Sequence, residues 1–182
     1  GFIKGFTTNP SLMRSSGIRN YESFSKKILR IINNKSISLE VFSDDLKEME
    51  IQANKIASWS KNVYVKIPIT NTKGKSCLPL VKRLVEKNIK VNITAVFTDK
   101  QVAAIKKYIN KNSNVIISIF AGRIADSGVD PSKIIKKSIK IFKKYKGVKI
   151  LWASTREIFN IFQAANLGCH IITVPISMLK KM

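Results

Sequence analysis

The amino-acid sequence predicts an α/β fold of the (β/α)8, or TIM, barrel type. Short runs rich in Val and Ile alternate strictly with amphipathic segments, and this alternation requires parallel strands joined by helical crossovers. No glycine-rich phosphate loop follows any predicted strand. Nearly every strand carries a polar residue near its carboxyl end. A barrel gathers all these residues at one rim, whereas an open doubly wound sheet, the alternative, gathers only those beside its switch point.

Seven strands are predicted from short runs rich in β-branched and aromatic residues. They cover residues 2–8, 37–42, 63–68, 91–97, 115–120, 148–153 and 170–174. The polar residues near their carboxyl ends are Thr7, Glu40, Lys66, Asn92, Thr94, Ser118 and Ser154. Period-two alternation places Asn92 and Thr94 on one face of their strand.

The helices between these strands follow from apolar spacing and capping residues. Asn20 caps a helix over 21–33, Ser43 or Asp44 starts one that ends near 59, and a loop containing Gly74 leads into one that closes near 87–88. Thr98 caps a helix through 109, and Pro131 opens a basic helix to 145. Residues 122–128 are predicted to be a loop. Ser154 and Glu157 have the spacing of a capping box for a helix that ends at Gly168.

Seven strands are one fewer than a closed barrel of this type contains. We therefore expect residues 1–182 to form a single barrel domain that is incomplete at both ends. The first strand and a C-terminal helix are the elements expected to be missing.

The strand over 63–68 carries the most informative residue, Lys66. Alternation puts Val63, Val65 and Ile67 on one face and Tyr64 and Lys66 on the other. A lysine in a dry interior loses hydration of its charged form, and the neutral amine can form a Schiff base with a carbonyl substrate. The alternative is a strand-end lysine that extends its amine to solvent.

Composition limits the classes of protein to consider. Of the 182 residues, 45% are apolar and 24% charged, as in ordinary globular domains. No apolar run approaches the ~20 residues of a membrane span, so no membrane partner is predicted. Cys77 and Cys169 are far apart and lack neighbours at metal-ligand spacing. We expect reduced thiols, no metal and a cytoplasmic protein.

A net charge of +22 is high for this length and could indicate a nucleic-acid partner. The lysines, however, are spread over almost every predicted helix, opposite apolar residues, as on solvated faces. No nucleic-acid-binding module is present in the sequence. We predict no specific nucleic-acid partner, and nonspecific binding at low salt.

Five motifs in order resemble the transaldolase family, which includes the fructose-6-phosphate aldolases. They are residues 5–12 (GFTTNPSL), 65–68 (VKIP), 92–97 (NITAVF), 118–124 (SIFAGRI) and 153–154 (AS). The resemblance covers essentially the whole chain and implies a (β/α)8 barrel. It also implies transfer of a dihydroxyacetone unit through a Schiff base, without a cofactor or metal, in the pentose phosphate pathway. The implied sugar phosphates are sedoheptulose 7-phosphate with glyceraldehyde 3-phosphate and fructose 6-phosphate with erythrose 4-phosphate.

The resemblance implies roles for three catalytic residues. Lys66 would be the nucleophile, and Glu40 with Thr94 would hold the water used in imine formation. Glu40 could also serve as a buried counter-ion for Lys66. Glu40 and Phe120 match the transaldolases, because the fructose-6-phosphate aldolases have Gln and Tyr at these positions.

The resemblance also implies a set of substrate-binding residues. Asn9, Asn92 and Ser118 would bind hydroxyls of the three-carbon unit, and Arg123, Ser154 and Arg156 would bind the phosphate, with Asp126 orienting Arg123. Thr7 and Phe120 complete the set. Alternatives exist for Asn9 as a turn residue before Pro10, for Ser118 as a small polar core residue, for Ser154 as a helix cap and for Arg156 as a surface residue.

One residue of the family pattern is missing from this sequence, the acid–base aspartate of the first strand. Either the protein continues before Gly1, or this polypeptide lacks that proton shuttle. Three functions therefore remain open: a transaldolase, an aldolase that releases free dihydroxyacetone, and a degenerate, non-catalytic barrel. The resemblance further implies a homo-oligomer.

Overall fold

The computed structural model describes residues 3–32 and 34–182 and shows a parallel sheet of seven strands. The strands are β1 (Gly5–Thr7), β2 (Ser36–Glu40), β3 (Val63–Pro68), β4 (Val91–Val96), β5 (Val115–Ile119), β6 (Val148–Trp152) and β7 (Ile171–Ile172). The helices are α1 (Pro10–Ser15), α2 (Tyr21–Ile31), α3 (Leu46–Ala57), α4 (Leu78–Glu86), α5 (Asp99–Ile105), α6 (Ala121–Asp126), α7 (Ser132–Phe142), α8 (Phe159–Asn166) and α9 (Ile176–Leu179).

The strands are arranged in the order of the chain, from β1 to β7, and every neighbouring pair is parallel. A right-handed crossover after each strand then places all helices on the same side of the sheet. A doubly wound sheet would instead reverse direction at a switch point and carry helices on both sides. The sheet therefore curls into a partial α/β barrel, which confirms the predicted α/β class with a parallel sheet and is consistent with part of a (β/α)8 barrel. The proposed loss of the first strand and the C-terminal helix stays a prediction.

The two faces of the sheet are buried in different ways. The outer face, beneath the helices, holds the main core, in which Val65 and Ile67 of β3 are fully buried. The inner face holds a small apolar cluster in which Ile116, Leu151 and Ala153 pack against half-buried side chains such as Tyr64. The predicted alternation along β3 is confirmed, since Val63, Val65 and Ile67 are part of the main core and Tyr64 packs in the inner cluster.

Side-chain caps begin several helices, largely as predicted. Asn20 accepts a hydrogen bond from the Ser23 amide at the start of α2, and Thr98 forms a capping box with Gln101 at the start of α5. The cap of α3 is Asp45 rather than the predicted Ser43 or Asp44, because its carboxylate accepts from two amides of the first turn. Of the predicted ranges, positions 2 and 33 lie outside the described residues.

Two further local predictions are wrong. Residues 122–128, predicted as a loop, contain most of helix α6, because Gly122 serves close packing rather than a turn. Ser154 and Glu157 do not form a capping box: Ser154 has a φ of +63°, and α8 begins only at Phe159. The turn after β6 is instead held by Asn160, whose side-chain oxygen accepts from the amides of Arg156 and Glu157.

Candidate active site

Three polar side chains lie in one row across the inner face of the sheet. The ladder places Glu40 of β2 opposite Lys66 of β3, and Lys66 opposite Asn92 of β4. Residues in register on neighbouring strands point to the same face, so these three side chains are neighbours. Lys66 is only 8% exposed and Asn92 only 1%, although both carry strongly polar groups. Buried polar groups of this kind require hydrogen-bond partners.

The Lys66 amine has two partners. Its Nζ lies 3.0 Å from Glu40 Oε2 and donates to the backbone carbonyl of Thr8 at 2.9 Å. Thr8 directly follows β1, and its own amide donates to the Ser38 carbonyl of β2. The amine is thus held between the ends of three strands. Glu40 is its counter-ion, the alternative role that the sequence left open for this carboxylate.

Asn92 uses both ends of its amide inside the barrel. Its Nδ2 donates to Ser38 Oγ at 3.0 Å, and its Oδ1 accepts from Ser118 Oγ at 2.7 Å. A satisfied amide in a dry site is fixed in orientation, because rotation would leave buried groups unpaired. Ser38 was missed in the sequence, although it precedes Glu40 by two residues and therefore shares its face.

The main chain beside Glu40 is bonded on both sides. The Tyr21 hydroxyl donates to the Glu40 carbonyl at 3.2 Å, and the following amide, of Val41, donates to the Lys66 carbonyl at 3.3 Å. Tyr21 is itself packed edge-on against Phe42. Burial raises the pKa of Tyr21, so its hydroxyl remains a proton donor over the whole physiological range. Sequence inspection gave no signal for this residue.

A bulge in β4 separates the buried row from the aromatic rim. The β4–β5 register shifts between Ile93 and Val96, and Ala95 has a φ of +57°. Thr94, on the near side of the bulge, is buried opposite Pro68 of β3. Beyond the bulge, the Phe97 ring contacts the ring of Phe120 with centroids 5.4 Å apart. The bulge is a common device for redirecting side chains near a functional site.

Two arginines come close together at the rim beyond β5 and β6. The Arg123 guanidinium lies 5.6 Å from the centre of the Phe120 ring, and the Arg156 guanidinium binds Asp126 with two nitrogens. Arg156 lowers the pKa of the Asp126 carboxyl, with a smaller contribution from Arg123. The expected pairing of Asp126 with Arg123 is thus replaced by a direct pairing with Arg156.

Gly122 is what allows these rim segments to meet. A Cβ at this position would lie 1.6 Å from the Ser154 carbonyl oxygen and 3.1 Å from Arg156 Cγ. Only glycine permits such an approach. Arg123, Ser154 and Arg156, separated in sequence, are therefore brought to one corner of the rim. Both arginines are exposed.

Two predicted site residues sit at the edge of this arrangement. Thr7 lies opposite Ser38 in the β1–β2 ladder and is exposed. Asn9 caps α1, since its Oδ1 accepts from the Leu12 amide at 2.8 Å. Asn9 is thus a helix cap rather than the turn residue considered as its alternative role, and its side-chain amide nitrogen is not used by this cap. Within residues 3–32 and 34–182, no cluster of His, Cys, Asp and Glu is suited to hold a metal ion.

Comparison with known proteins assigns the family. The family model described as Transaldolase/Fructose-6-phosphate aldolase matches residues 1–182. The chain belongs to this family. A probable transaldolase of Thermoanaerobacter sp. (strain X514) is 37% identical over 183 residues, covering 100% of this chain and 80% of that protein. A probable transaldolase of Nitrosopumilus maritimus is 36% identical over 184 residues and is covered to 78%.

The same resemblance extends to a probable transaldolase of Dehalococcoides mccartyi, which is 33% identical over 185 residues, covering 100% of this chain and 81% of that protein. Among solved structures, a mandelate oxidase mutant with a monooxide FMN adduct is similar, with a TM-score of 0.57. At 12% identity this likeness concerns the fold alone; it covers 82% of this chain and 50% of that one. In the described part of this chain, no helix is long and apolar enough to cross a membrane.

Proposed function

We propose that this chain is a Schiff-base transaldolase that moves a dihydroxyacetone unit between sugar phosphates. The observation that carries the proposal is the row of Glu40, Lys66 and Asn92, with a buried amine 3.0 Å from a carboxylate on the inner face. The amine of Lys66 lies beside one carboxylate, which can take its proton, and is therefore suited to attack a carbonyl. It also lies at the carboxyl ends of the strands, where barrel enzymes have their active sites.

The first step is formation of the imine. The Lys66 ammonium loses a proton to Glu40, and the free amine adds to the ketone of the sugar. The carbonyl oxygen then leaves as water with two protons, one passed on from the attacking nitrogen and one returned by Glu40, and the imine nitrogen keeps the third hydrogen as a protonated imine. Glu40 lies 3.0 Å from Nζ, close enough for direct transfer. Thr94 is buried two positions beyond Asn92 on β4, where it would help to hold the leaving water.

The second step is cleavage of the neighbouring carbon–carbon bond. The protonated imine accepts the electron pair of that bond, an enamine stays on Lys66, and an aldose phosphate departs. The proton of the hydroxyl on the departing carbon passes to a base. The family resemblance gives that role to an aspartate for which residues 1–182 offer no matching position. Asn92, Ser118 and Asn9 would bind the hydroxyls of the unit that stays.

The phosphate would bind at the corner formed by Arg123, Ser154 and Arg156. The planar guanidinium groups suit phosphate oxygens, and the Asp126 carboxylate fixes one of them in place. Arg156 donates to Asp126 through Nε and Nη2, so the remaining hydrogens of the fork are available to an anion. Glu40 and Phe120 favour the transaldolase reaction over release of free dihydroxyacetone.

Borohydride trapping tests the nucleophile. The full chain is incubated with fructose 6-phosphate and reduced, and the adduct is located by peptide mass spectrometry. We expect one adduct, on Lys66. The mass of a three-carbon unit would show that the bond was cleaved, whereas the mass of the whole sugar phosphate would show an imine without cleavage, as in a degenerate barrel. No adduct on Lys66 would contradict the proposal.

A matched pair of variants makes the trapping specific. Lys66→Met should abolish the adduct. Lys90→Met removes another partly buried lysine, whose Nζ donates to the Lys61 carbonyl, and should leave the adduct on Lys66 unchanged. Product analysis with and without erythrose 4-phosphate then separates the two activities. A transaldolase needs the acceptor aldehyde for turnover, whereas an aldolase releases dihydroxyacetone without it.

A further inference from the structure

The exposed residues of α5, of α7 and of the turns that follow them are rich in lysine. They include Lys100, Lys106, Lys107, Lys111, Lys133, Lys136, Lys137, Lys140, Lys143, Lys144 and Lys146. We refer to these residues as the α5–α7 basic face. No Asp or Glu occurs in the sequence between Asp130 and Glu157, so α7 and its following turn have no acidic residue of their own.

The two helices form one continuous surface. They pack against each other, and the Lys137 amine of α7 lies 2.6 Å from an oxygen of Asp99 at the start of α5. Among the described residues, no other lysine of the α5–α7 basic face forms an ion pair. Hydrogen bonds from Ser132 lower the pKa of the Asp130 carboxylate, and Lys133 and Lys136 lie near enough to lower it further. The remaining lysines of the face have no carboxylate within ion-pair distance in the described part of the chain and can meet an external anion.

The lysines of α7 are arranged as a stripe along the helix. Ile134, Ile135 and Phe142 bury the opposite side of the helix against the core. Lys133, Lys136, Lys137 and Lys140 recur at the three- and four-residue spacing of one helical face, and Lys144 lies in the turn that follows the helix. With a rise of 1.5 Å per residue, the helical part of the stripe is roughly 10 Å long. A duplex carries one phosphate charge per ~1.7 Å of its axis, so the stripe can face several phosphates at once.

The exposed side chains indicate which polyanion fits. Within the described residues, no large apolar side chain is exposed between positions 98 and 128 or between 130 and 158. Tyr108 and Tyr145 pack against the main core. The face therefore offers neither apolar groups to enter a bilayer nor free rings to stack on single-stranded bases. Lysines without aromatic partners suit a polyanion whose charges lie on its outside.

We propose that the α5–α7 basic face binds duplex nucleic acid without sequence selectivity. Lysine–phosphate contacts release counterions from the duplex, which supplies affinity but reads no bases. The proposal is independent of the proposed aldol chemistry. The face lies on the helical side of the sheet, whereas Lys66 points to the inner side, so both sites can act in one molecule.

The test compares two variants of the full chain that have the same net charge. The first carries Lys133→Gln, Lys136→Gln, Lys140→Gln and Lys144→Gln. The control carries Lys27→Gln, Lys35→Gln, Lys47→Gln and Lys61→Gln. These exposed lysines lie on α2 and α3 and on the turns that follow those helices. Each set lowers the net charge from +22 to +18, four lysines fewer. Binding to a labelled DNA duplex of about 20 base pairs is followed by fluorescence anisotropy over a salt series.

We expect the α7 variant to weaken binding at least about tenfold at about 0.1 M salt, and to reduce the salt slope by about 3 to 4. The control variant should change affinity less than about threefold, because long-range charge is screened at this salt. Equal loss in both variants would overturn the proposal, since binding would then follow net charge and not the face.

Two further arms address the alternatives. A duplex of different sequence should bind with the same affinity, and a preference above about tenfold would refute sequence independence. Vesicles containing anionic lipid should not bind at the same salt; binding that is tighter than to DNA and lost in the α7 variant would assign the face to membranes. If the fourfold variant unfolds, Lys140→Gln with Lys144→Gln should still give half of the slope change.

Discussion

The two faces of the sheet both bury side chains, but they differ in the chemistry of the residues that they bury. On the outer face, Val65 and Ile67 are fully buried among apolar side chains and contribute packing. On the inner face, Lys66 and Asn92 are buried nearly as deeply, and each depends on specific hydrogen bonds. Lys66 and Ile67 are adjacent in sequence. Their difference shows that burial alone does not separate a core residue from a candidate functional residue, whereas the burial of a charged or polar group marks a candidate.

The largest expected effect comes from changing the inner member of that pair. Lys66→Met removes the proposed nucleophile, and we expect kcat/KM for the aldol reaction to fall at least about 1,000-fold. The protein should still unfold in a single cooperative transition, measured by circular dichroism. Retention of more than a tenth of the activity would show that the inner face does not act through this amine.

The outer member should give the opposite result. Ile67→Ala leaves a cavity in the main core, and we expect the free energy of unfolding to fall by about 2–5 kcal/mol in urea denaturation. Activity per folded molecule should be unchanged. A marked loss of activity at temperatures where the variant is fully folded would mean that the two faces are coupled more tightly than their contacts indicate.

A smaller effect is expected at the rim, where Gly122 lies against Ser154. Gly122→Ala would force the turn after β6 away from α6, because its Cβ cannot occupy the same space as the Ser154 carbonyl. We expect KM for a phosphorylated sugar to rise about tenfold, with a smaller change in kcat, because phosphate binding but not imine chemistry is disturbed. Ala125→Ser, on the exposed side of the same helix, is the control and should leave KM unchanged.

The smallest effect concerns the outer surface. Lys26, and with it Lys55, lowers the pKa of Glu22 from 4.5 to about 2. A carboxylate whose pKa is lower in the folded state stabilises that state at any pH above its pKa in the unfolded chain. This contribution is lost as the pH falls to its pKa in the folded state. The Tm difference between the native protein and Glu22→Gln should therefore be small, constant above about pH 5, and lost towards about pH 2. High salt should shrink it, because the carboxylate is exposed. A difference that grows on acidification would contradict this account.

Much of the inner row could be predicted from the sequence. Period two along β3 placed Lys66 opposite the packed face, and consecutive parallel strands brought Glu40 and Asn92 beside it. The partners could not be predicted, because the Thr8 carbonyl is 58 residues from Lys66 in sequence, and Asp126 is 30 residues from Arg156. Such contacts depend on how far turns extend over the rim, which residue periodicity does not encode.

The turn residues were the weakest part of the sequence prediction. Gly122 and Gly128 suggested a loop, although only Gly128 adopts a positive φ, of +79°. Ser154 and Glu157 matched the spacing of a capping box, but the left-handed conformation of Ser154 prevents the chain from entering a helix there. In both cases a local pattern was overridden by the close contact between α6 and the segment after β6.

The bulge at Ala95 has a consequence for how substitutions along β4 will behave. The surplus residue shifts the side-chain alternation by one position, so the part of the strand up to Thr94 and the part from Val96 onward follow different phases. Without that offset, Phe97 would lie on the helical side with Ile93 instead of against Phe120. A one-residue deletion at Ala95 would therefore remove the bulge and leave Val96 and Phe97 on their present sides, whereas a substitution that abolished the bulge at constant length would reverse both of them.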